Sequence, residues 1–554
     1  MLKLLSLMTE RNRLLLFLFF VVGVFFRFYN LSSSPLGLFR DEASIGYNAY
    51  SILETGSDEY GKSFPLLFRS FGDYKIPFYI YLTTLSIKLF GLNIFAVRFS
   101  SAVLGSLTGI IIYCLSLEIF KNRKFLAIIS SLIFWVSPWS IFFSRGAFEA
   151  NAALFFFLLA ILFQIRAIEK REKWLMVLSV LNYVITTYTY HAEKLLAPFF
   201  LLYIFLIYLK RSEKAGYLKI KTIIISLIFF LLLSSPQYFL MFTSAGNNRI
   251  NNLSIVKIED IKRIPVHPEI IIQIIKNPVS LYVAYFSPRN LFFYPDSDPQ
   301  HSFPELSVFY FWMIIPYFLG TLFLFRLEKT ISKKLVLGFL FLSPIPASLT
   351  GDPFSTIRAL PLIFPLSIVI GMGLEKSFIY IKNKIIFISL LVIIFSLSLL
   401  MLTRNLFYLL PQERYSEWNY GYTVLPGVLS EYKDADILVD EPRGISYIHW
   451  LFFTKYPPSL FQKQFSFNIS NYYKMSQWEA VGKVGRVSFE NIIWGGSDKE
   501  NDILVATPIG ISEIQARDHL LTKLYTINGP DKKIILNVYI TERGLRKYKL
   551  KITK

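Results

Sequence analysis

Uncharged apolar runs of roughly 15 to 24 residues recur through the first four hundred positions, each set off by a short polar stretch. With flanking residues added, such runs are long enough to cross a bilayer as helices. The pattern predicts eleven spans, centred on Leu14–Tyr29, Phe99–Leu117, Phe125–Phe143, Ala150–Ile165, Trp174–Tyr190, Leu195–Leu209, Thr222–Leu240, Leu306–Phe325, Leu335–Thr350, Ala359–Leu374 and Ile385–Thr403. No cleavage pattern follows the first run, so it reads as a retained anchor. A further apolar run, Ile76–Phe90, contains Lys88 and stops at Gly91, and reads as a helix lying along the outer membrane surface.

Basic residues set the orientation. Lys3, Arg11 and Arg13 precede the first span; Lys121, Arg123 and Lys124 follow the second; Arg166, Lys170, Arg171 and Lys173 follow the fourth. Further clusters follow the sixth (Lys210 to Lys221), the eighth (Arg326 to Lys334) and the tenth (Lys376 to Lys384). All face the cytoplasm if the N-terminus does, which is where positive loops belong. Counting Ile76–Phe90 as a span would put every later cluster outside.

The fold class expected is therefore a polytopic α-helical membrane protein in the plasma (inner) membrane, with a membrane domain over 1–404 and an extracytoplasmic α/β domain over 405–554. Two large loops, 30–98 and 243–305, face the same side as that tail. Within the tail, Asp436–Val439, Ile503–Ala506 and Ile534–Ile540 read as strands. Ser446–Phe453 and Glu513–Leu524 read as helices. No sequence repeat of the inverted-repeat transporter kind is visible.

Composition agrees. Of 554 residues 54% are hydrophobic and 17% charged, against about a quarter charged in soluble domains. That excludes an ordinary cytosolic enzyme, and Phe 54, Tyr 33 and Trp 8 exclude disorder. The net charge of +20 maps to the short cytoplasmic turns and implies no nucleic-acid partner. The single cysteine, Cys114, excludes an internal disulfide framework and a Cys-rich metal site.

Ionisable residues at the membrane edge are the candidate chemistry. They are Arg40-Asp41-Glu42 after the first span, Asp73 and Lys75 before the surface helix, and Arg145, Glu149 and Asn151 between spans three and four. Tyr190, His191 and Lys194 lie where span five exits, Arg249, Asp296, Asp298 and His301 in the second large loop, and Arg358 before span ten. All lie on one predicted face, and such a gathering suits a reaction on an anionic lipid headgroup. Each also has a bland reading. Asp41-Glu42 can cap a helix, Arg145 and Glu149 can form an i,i+4 pair, His191 can be a hydrogen-bonded interfacial histidine, and Lys75 and Lys194 can snorkel. Arg358 can steady a helix start. The ensemble favours function, because ionisable groups at the edge of a membrane cavity are costly to keep.

In their order along the chain these motifs resemble the polyprenyl-phosphate-sugar-dependent glycosyltransferases of the GT-C class. Within it the match is to the protein O-mannosyltransferase and aminoarabinose transferase superfamily. The residues that carry it are Arg40-Asp41-Glu42-Ala43, Asp73-Tyr74-Lys75-Ile76-Pro77, Phe95-Ala96-Val97-Arg98-Phe99 and Ser144-Arg145 with Glu149-Ala150-Asn151. Later matches are Tyr285-Phe286-Ser287-Pro288, Leu291-Phe292-Phe293, His301-Ser302 and Pro344–Thr350 with Arg358. The resemblance spans about residues 10 to 405. The tail matches no catalytic motif.

The resemblance implies a lipid-linked sugar donor, a polyprenyl phosphate as leaving group, and a hydroxyl acceptor on protein, glycolipid or polysaccharide. It implies Asp41 as general base with Glu42 beside it. Lys75, Arg145, His191, Lys194, Arg249 and Arg358 become phosphate partners, and Asp73, Glu149, Asn151 and Tyr190 substrate contacts. Some relatives bind a divalent metal with a carboxylate and a later-loop histidine, which here would be Asp73 and His301. No other cofactor is called for. The family's Lys-Pro-Pro stands here as Lys75-Ile76-Pro77, with Asp73 one place further from the lysine. The rival classes are a lipid or sugar transporter, which needs charges or broken helices at mid-span, and a scaffold displaying the tail.

Overall fold

The computed structural model describes residues 10–121, 123–212, 220–244, 246, 254–255, 270–441, 445–464, 472–473 and 481–548. A helix stands at each of the eleven apolar runs. In chain order the helices are α1 (Glu10–Phe28), α2 (Arg40–Thr55), α3 (Pro77–Phe90), α4 (Ile94–Phe120), α5 (Lys124–Val136), α6 (Pro138–Arg145), α7 (Glu149–Lys170), α8 (Lys173–Thr187), α9 (His191–Ser212) and α10 (Ile220–Met241). They continue with α11 (Ile270–Ala284), α12 (Ile314–Arg326), α13 (Ile331–Leu342), α14 (Ile363–Tyr380) and α15 (Lys384–Arg404). Among the described residues eight helical stretches are long and apolar enough to cross a membrane, or nine if the bent pair α5–α6 is one span, against the eleven expected. The chain is a multi-pass membrane protein.

Two features depart from the sequence expectation. The third run is not straight: α5 and α6 meet at 54°. Ser137 is extended (φ −64°, ψ 136°) and Pro138 opens α6, as a proline ring disfavours helix at the residue before it. Secondly, 243–305 is not all loop. Ile270–Phe292 passes the same length and composition requirement as the spans. Lys276, Asn277 and Pro278 interrupt its apolar pattern, yet α11 continues through them.

The chain forms two compact units. The first contains residues 1–31, 76–79 and 98–405; the second contains 32–75, 80–97 and 406–554. The first loop, expected to go with 1–404, is thus grouped with the tail. In the first unit α12 and α14 cross with backbones nearly touching, because a Cβ on Gly320 or Gly373 would collide with the Val369 or Pro316 carbonyl. Small residues allow such approach between membrane helices.

In the second unit, β1 (Phe68–Ser70) and β2 (Asp73–Lys75) form an antiparallel hairpin with Ser70 opposite Asp73. Phe71 (φ 49°) and Gly72 (φ 75°) are both left-handed, as a two-residue hairpin turn requires. The tail contributes β3 (Ile437–Asp440), β4 (Lys483–Val484), β5 (Val487–Glu490), β6 (Ile503–Ala506), β7 (Thr522–Asn528) and β8 (Ile534–Ile540). They form one sheet ordered β4-β5-β3-β6-β8-β7, parallel at β5-β3-β6 and antiparallel elsewhere. The helices beside it include α16 (Tyr420–Val428), α17 (Tyr447–Phe453) and α18 (Pro458–Gln464). The expected helix Glu513–Leu524 ends at Asp518, and its last residues belong to edge strand β7.

Candidate active site

The N-terminus of α2 organises the second unit's candidate chemistry. Phe39 is extended, and α2 begins at Arg40 with Asp41 and Glu42 in its first turn, where carboxylates meet the unpaired N–H groups. Glu42 is 2% exposed and accepts the Phe39 N–H at 3.2 Å. It is the cap. Asp41, one residue earlier, instead meets the Lys75 ammonium at 2.8 Å. The Asp41 side chain is 40% exposed and that of Lys75 only 12%, so the carboxylate can reach solvent while the cation is held behind it. Lys75 ends β2, and the tight turn at Phe71-Gly72 fixes its position. Asp73 accepts the N–H of its neighbour Tyr74 at 2.7 Å.

Sequence reasoning missed the two buried carboxyls in the same unit. Glu59 accepts from the Asn48 amide at 2.9 Å and the Tyr447 hydroxyl at 3.1 Å, and the Tyr60 and Tyr447 hydroxyls are 3.2 Å apart. Asp58 accepts the Tyr60 and Lys62 N–H groups at 3.0 and 2.8 Å and the Tyr472 hydroxyl. Burial pushes Glu59 up to about 8 and Asp58 up to about 6. In the sequence Ser57-Asp58-Glu59-Tyr60-Gly61 looks like a solvated turn, and the hydroxyls that cover it, those of Tyr447 and Tyr472, are hundreds of residues away. This network ties the first loop to the tail: α17 supplies Tyr447, and the His449 ring meets the Leu38 carbonyl at 2.8 Å.

In the first unit the predicted residues separate by role. Arg145 donates to the carbonyls of Phe26, Tyr29 and Asn30 at 2.7, 3.0 and 3.0 Å. Arg27 donates to Gly23 and Trp135 carbonyls and Arg98 to that of Leu31. Arg145 and Arg98 thus serve carbonyls at the end of α1 and in the turn after it, where helical partners run out, while Arg27 ties α1 to the end of α5. Arg27 and Arg98 were not singled out for this role, although an arginine inside or beside an apolar run signals a buried partner. Arg145 and Glu149 do not share a helix face, since Gly146 is extended (ψ 163°) between α6 and α7. The Asn151 amide donates to the Ser101 carbonyl at 2.8 Å, tying α7 to α4.

His191 begins α9, with Lys194 one turn on and 4% exposed. Tyr190 lies within electrostatic reach of Arg358. Arg358 bonds Asp352, the Thr350 hydroxyl at 3.2 Å and the Ser355 hydroxyl at 3.4 Å. Beside it Asp296 accepts both the Thr356 N–H (2.9 Å) and its hydroxyl (2.7 Å), and Asp298 meets His301 Nδ1 at 2.9 Å. The loop residues flagged around 296–301 and Arg358 are thus brought together through Ser355 and Thr356. Arg249 lies outside the described residues.

Among the described residues no group of three or more His, Cys, Asp and Glu is placed to hold a metal ion; the Asp73 carboxylate accepts the Tyr74 N–H, and His301 Nδ1 meets Asp298.

Residues 75–238 match the family model for dolichyl-phosphate-mannose-protein mannosyltransferase. ArnT from Cupriavidus metallidurans bound to undecaprenyl phosphate is similar in structure, with TM-score 0.51, 14% identity, and coverage of 94% of this chain and 97% of that one. Its apo state gives TM-score 0.50 and 13% identity with the same coverage. The oligosaccharyltransferase AglB from Archaeoglobus fulgidus, with an inhibitory peptide and a dolichol-phosphate, gives TM-score 0.48 and 11% identity over 98% of this chain and 75% of that one. No curated protein matches the chain in sequence. The chain has the fold of the GT-C membrane glycosyltransferases and, over residues 75–238, the sequence signature of the dolichyl-phosphate-mannose-protein mannosyltransferase family.

Proposed function

We propose that this protein moves a sugar from a polyprenyl-phosphate-linked donor to a hydroxyl acceptor, on the extracytoplasmic face of the plasma membrane and with inversion at the anomeric carbon. The observation that carries the reading is the Asp41–Lys75 pair at 2.8 Å. The acceptor hydroxyl gives its proton to the Asp41 carboxylate as its oxygen bonds the anomeric carbon. The bond from that carbon to the phosphate oxygen breaks on the opposite side, and the electron pair leaves with the phosphate.

The same proton transfer neutralises Asp41. Lys75 then loses its carboxylate partner at the moment when negative charge develops on the leaving group, and its ammonium is available to it. A preformed ion pair thereby becomes a base and a cation that act together. Arg358, His191 and Lys194 keep the phosphate-binding role that the sequence resemblance implies for them, within their own unit. Arg145 is not carried into it, because its guanidinium already serves three backbone carbonyls.

The test is the purified chain with a panel of radiolabelled polyprenyl-phosphate sugars. Sugar-dependent release of polyprenyl phosphate, abolished by Asp41→Asn, is the expected result. Movement of intact lipid-linked sugar across vesicles without release would instead make the protein a transporter.

A further inference from the structure

The tail domain holds a groove of about 750 Å³ between the end of α16, the outward face of α17 with the turn after it, and the β4–β5 hairpin. That is the size of a small-ligand site. Its floor is closed: Leu429, Ile437 and Val487 are at most 3% exposed. What remains open is aromatic, with Trp450, Phe453 and Tyr456 on the walls, and cationic, with Lys433 and Arg486 at the rim. Arg486 uses one nitrogen on the Asp434 carbonyl (3.2 Å) and Asp436 (3.4 Å), while Lys433 has no ion pair among the described residues.

The two sides of α17 differ in what they touch. Tyr447, Ile448, Leu451 and Phe452 are buried to 2% or less. A Cβ on Gly46 of α2 would meet the Phe452 ring at 2.5 Å, so α17 packs tightly on the helix whose first turn carries Asp41. Trp450 and Phe453 face the groove instead.

An acyl or prenyl chain would call for open branched-aliphatic walls, and here Leu429, Ile437, Val484 and Val487 are covered, leaving Pro426 and Pro457 beside the rings as the open apolar groups. Flat rings, one of them bearing a hydroxyl, suit a ligand with alternating C–H faces and polar edges. Rim cations select for negative charge. We propose that this groove binds an anionic saccharide, its ring against Trp450 and Tyr456 and its carboxylate or phosphate at Lys433 and Arg486, and that this saccharide is part of the acceptor. The acceptor role rests on the transferase reading; the binding does not.

The experiment is a titration of the full chain in lipid nanodiscs, read by tryptophan fluorescence and calorimetry, with trigalacturonate, 6-phosphomannobiose, neutral mannotriose and dodecyl phosphate. Saturable binding of either anionic sugar, with mannotriose weaker by about tenfold, supports the proposal, and the better of the two identifies carboxylate or phosphate. Trp450→Ala should weaken binding by about thirtyfold. Lys433→Glu, at an exposed position, should weaken it by about three- to tenfold while leaving the melting temperature near that of the parent chain. The proposal is overturned by absence of saturable sugar binding, by equal binding of mannotriose, by indifference to Lys433→Glu, or by displacement with dodecyl phosphate. Donor turnover on the same samples reports on the transferase reading separately, so either can fail alone.

Discussion

The Asp41 carboxylate stands 2.8 Å from the Lys75 ammonium, joining the first turn of α2 to the last residue of the β1–β2 hairpin. Glu42 next to it has a different duty, accepting the Phe39 N–H. Glu42 meets the helix-cap reading of the Asp-Glu dipeptide, which leaves the Asp41 carboxylate available for the proposed chemistry.

Asp41→Asn should cut turnover at least about a hundredfold, the low end of general-base contributions, while donor-lipid binding stays near normal. The pair is partly exposed and worth about 1 kcal/mol or less to stability, so the variant should fold. Glu42→Gln keeps an acceptor for Phe39 N–H and should retain most activity. Turnover and donor affinity measured on the same samples check both. Near-wild-type turnover in Asp41→Asn would retire Asp41 as the base.

Arg145→Ala leaves three carbonyls at the end of α1 without their donors. Phe26 is buried, so its unsatisfied carbonyl costs about 1–3 kcal/mol, while those of the exposed Tyr29 and Asn30 can turn to water; the loss should be about 1–3 kcal/mol. A sharply lowered melting temperature and poor yield are expected, with unchanged donor affinity in the fraction that folds. Arg145→Lys, which can reach fewer of the carbonyls, should fall between. Normal stability with lost donor affinity would return Arg145 to the phosphate site.

The sequence made the spans legible because lipid-facing helices are apolar along their whole length, and β3 and β6 legible because parallel strands are buried on both faces. Edge strand β7 alternates exposed and half-buried residues, so its start merged with the helical pattern before it. Residues 270–284 were hidden by Lys276 and Pro278, which read as a break. In the candidate site, Asp41 and Lys75 could be named from their motifs, but their pairing depends on a hairpin turn. Asp58 and Glu59 could not be named, since only the tail's Tyr447 and Tyr472 distinguish them from a solvated turn.

Those two carboxyls predict a pH dependence. Glu59 has its folded pKa raised from 4.5 to about 8 and Asp58 from 3.8 to about 6. Between the unfolded and folded values the folded state holds more protons than the unfolded one, so stability falls as pH rises. The contribution is full below about pH 4 and is lost progressively up to about pH 8. Glu59→Gln should flatten the decline of the melting temperature between pH 5 and 8, and Asp58→Asn only its acidic part. An unchanged slope in Glu59→Gln would mean that Glu59 ionises normally in the folded protein.

The side on which the tail lies turns on α11. With 15 residues at about 1.5 Å each, α11 alone falls short of a bilayer core of about 30 Å, although Ile270–Phe292 together would suffice. One crossing there would put the cluster Lys210–Lys221 and the cluster Arg326–Lys334 on opposite sides, against the preference of short basic loops for the cytoplasm. None of α11's residues is buried by protein, which a helix lying in the interface also satisfies. A reporter active only in the cytoplasm should therefore be silent when fused after Gln300 in a truncated chain and silent after Lys554. Activity after Gln300 would make α11 a crossing helix. Activity after Lys554 would move the tail, with its groove and the Asp41–Lys75 pair, to the cytoplasmic side and remove the extracytoplasmic reaction from the proposed function.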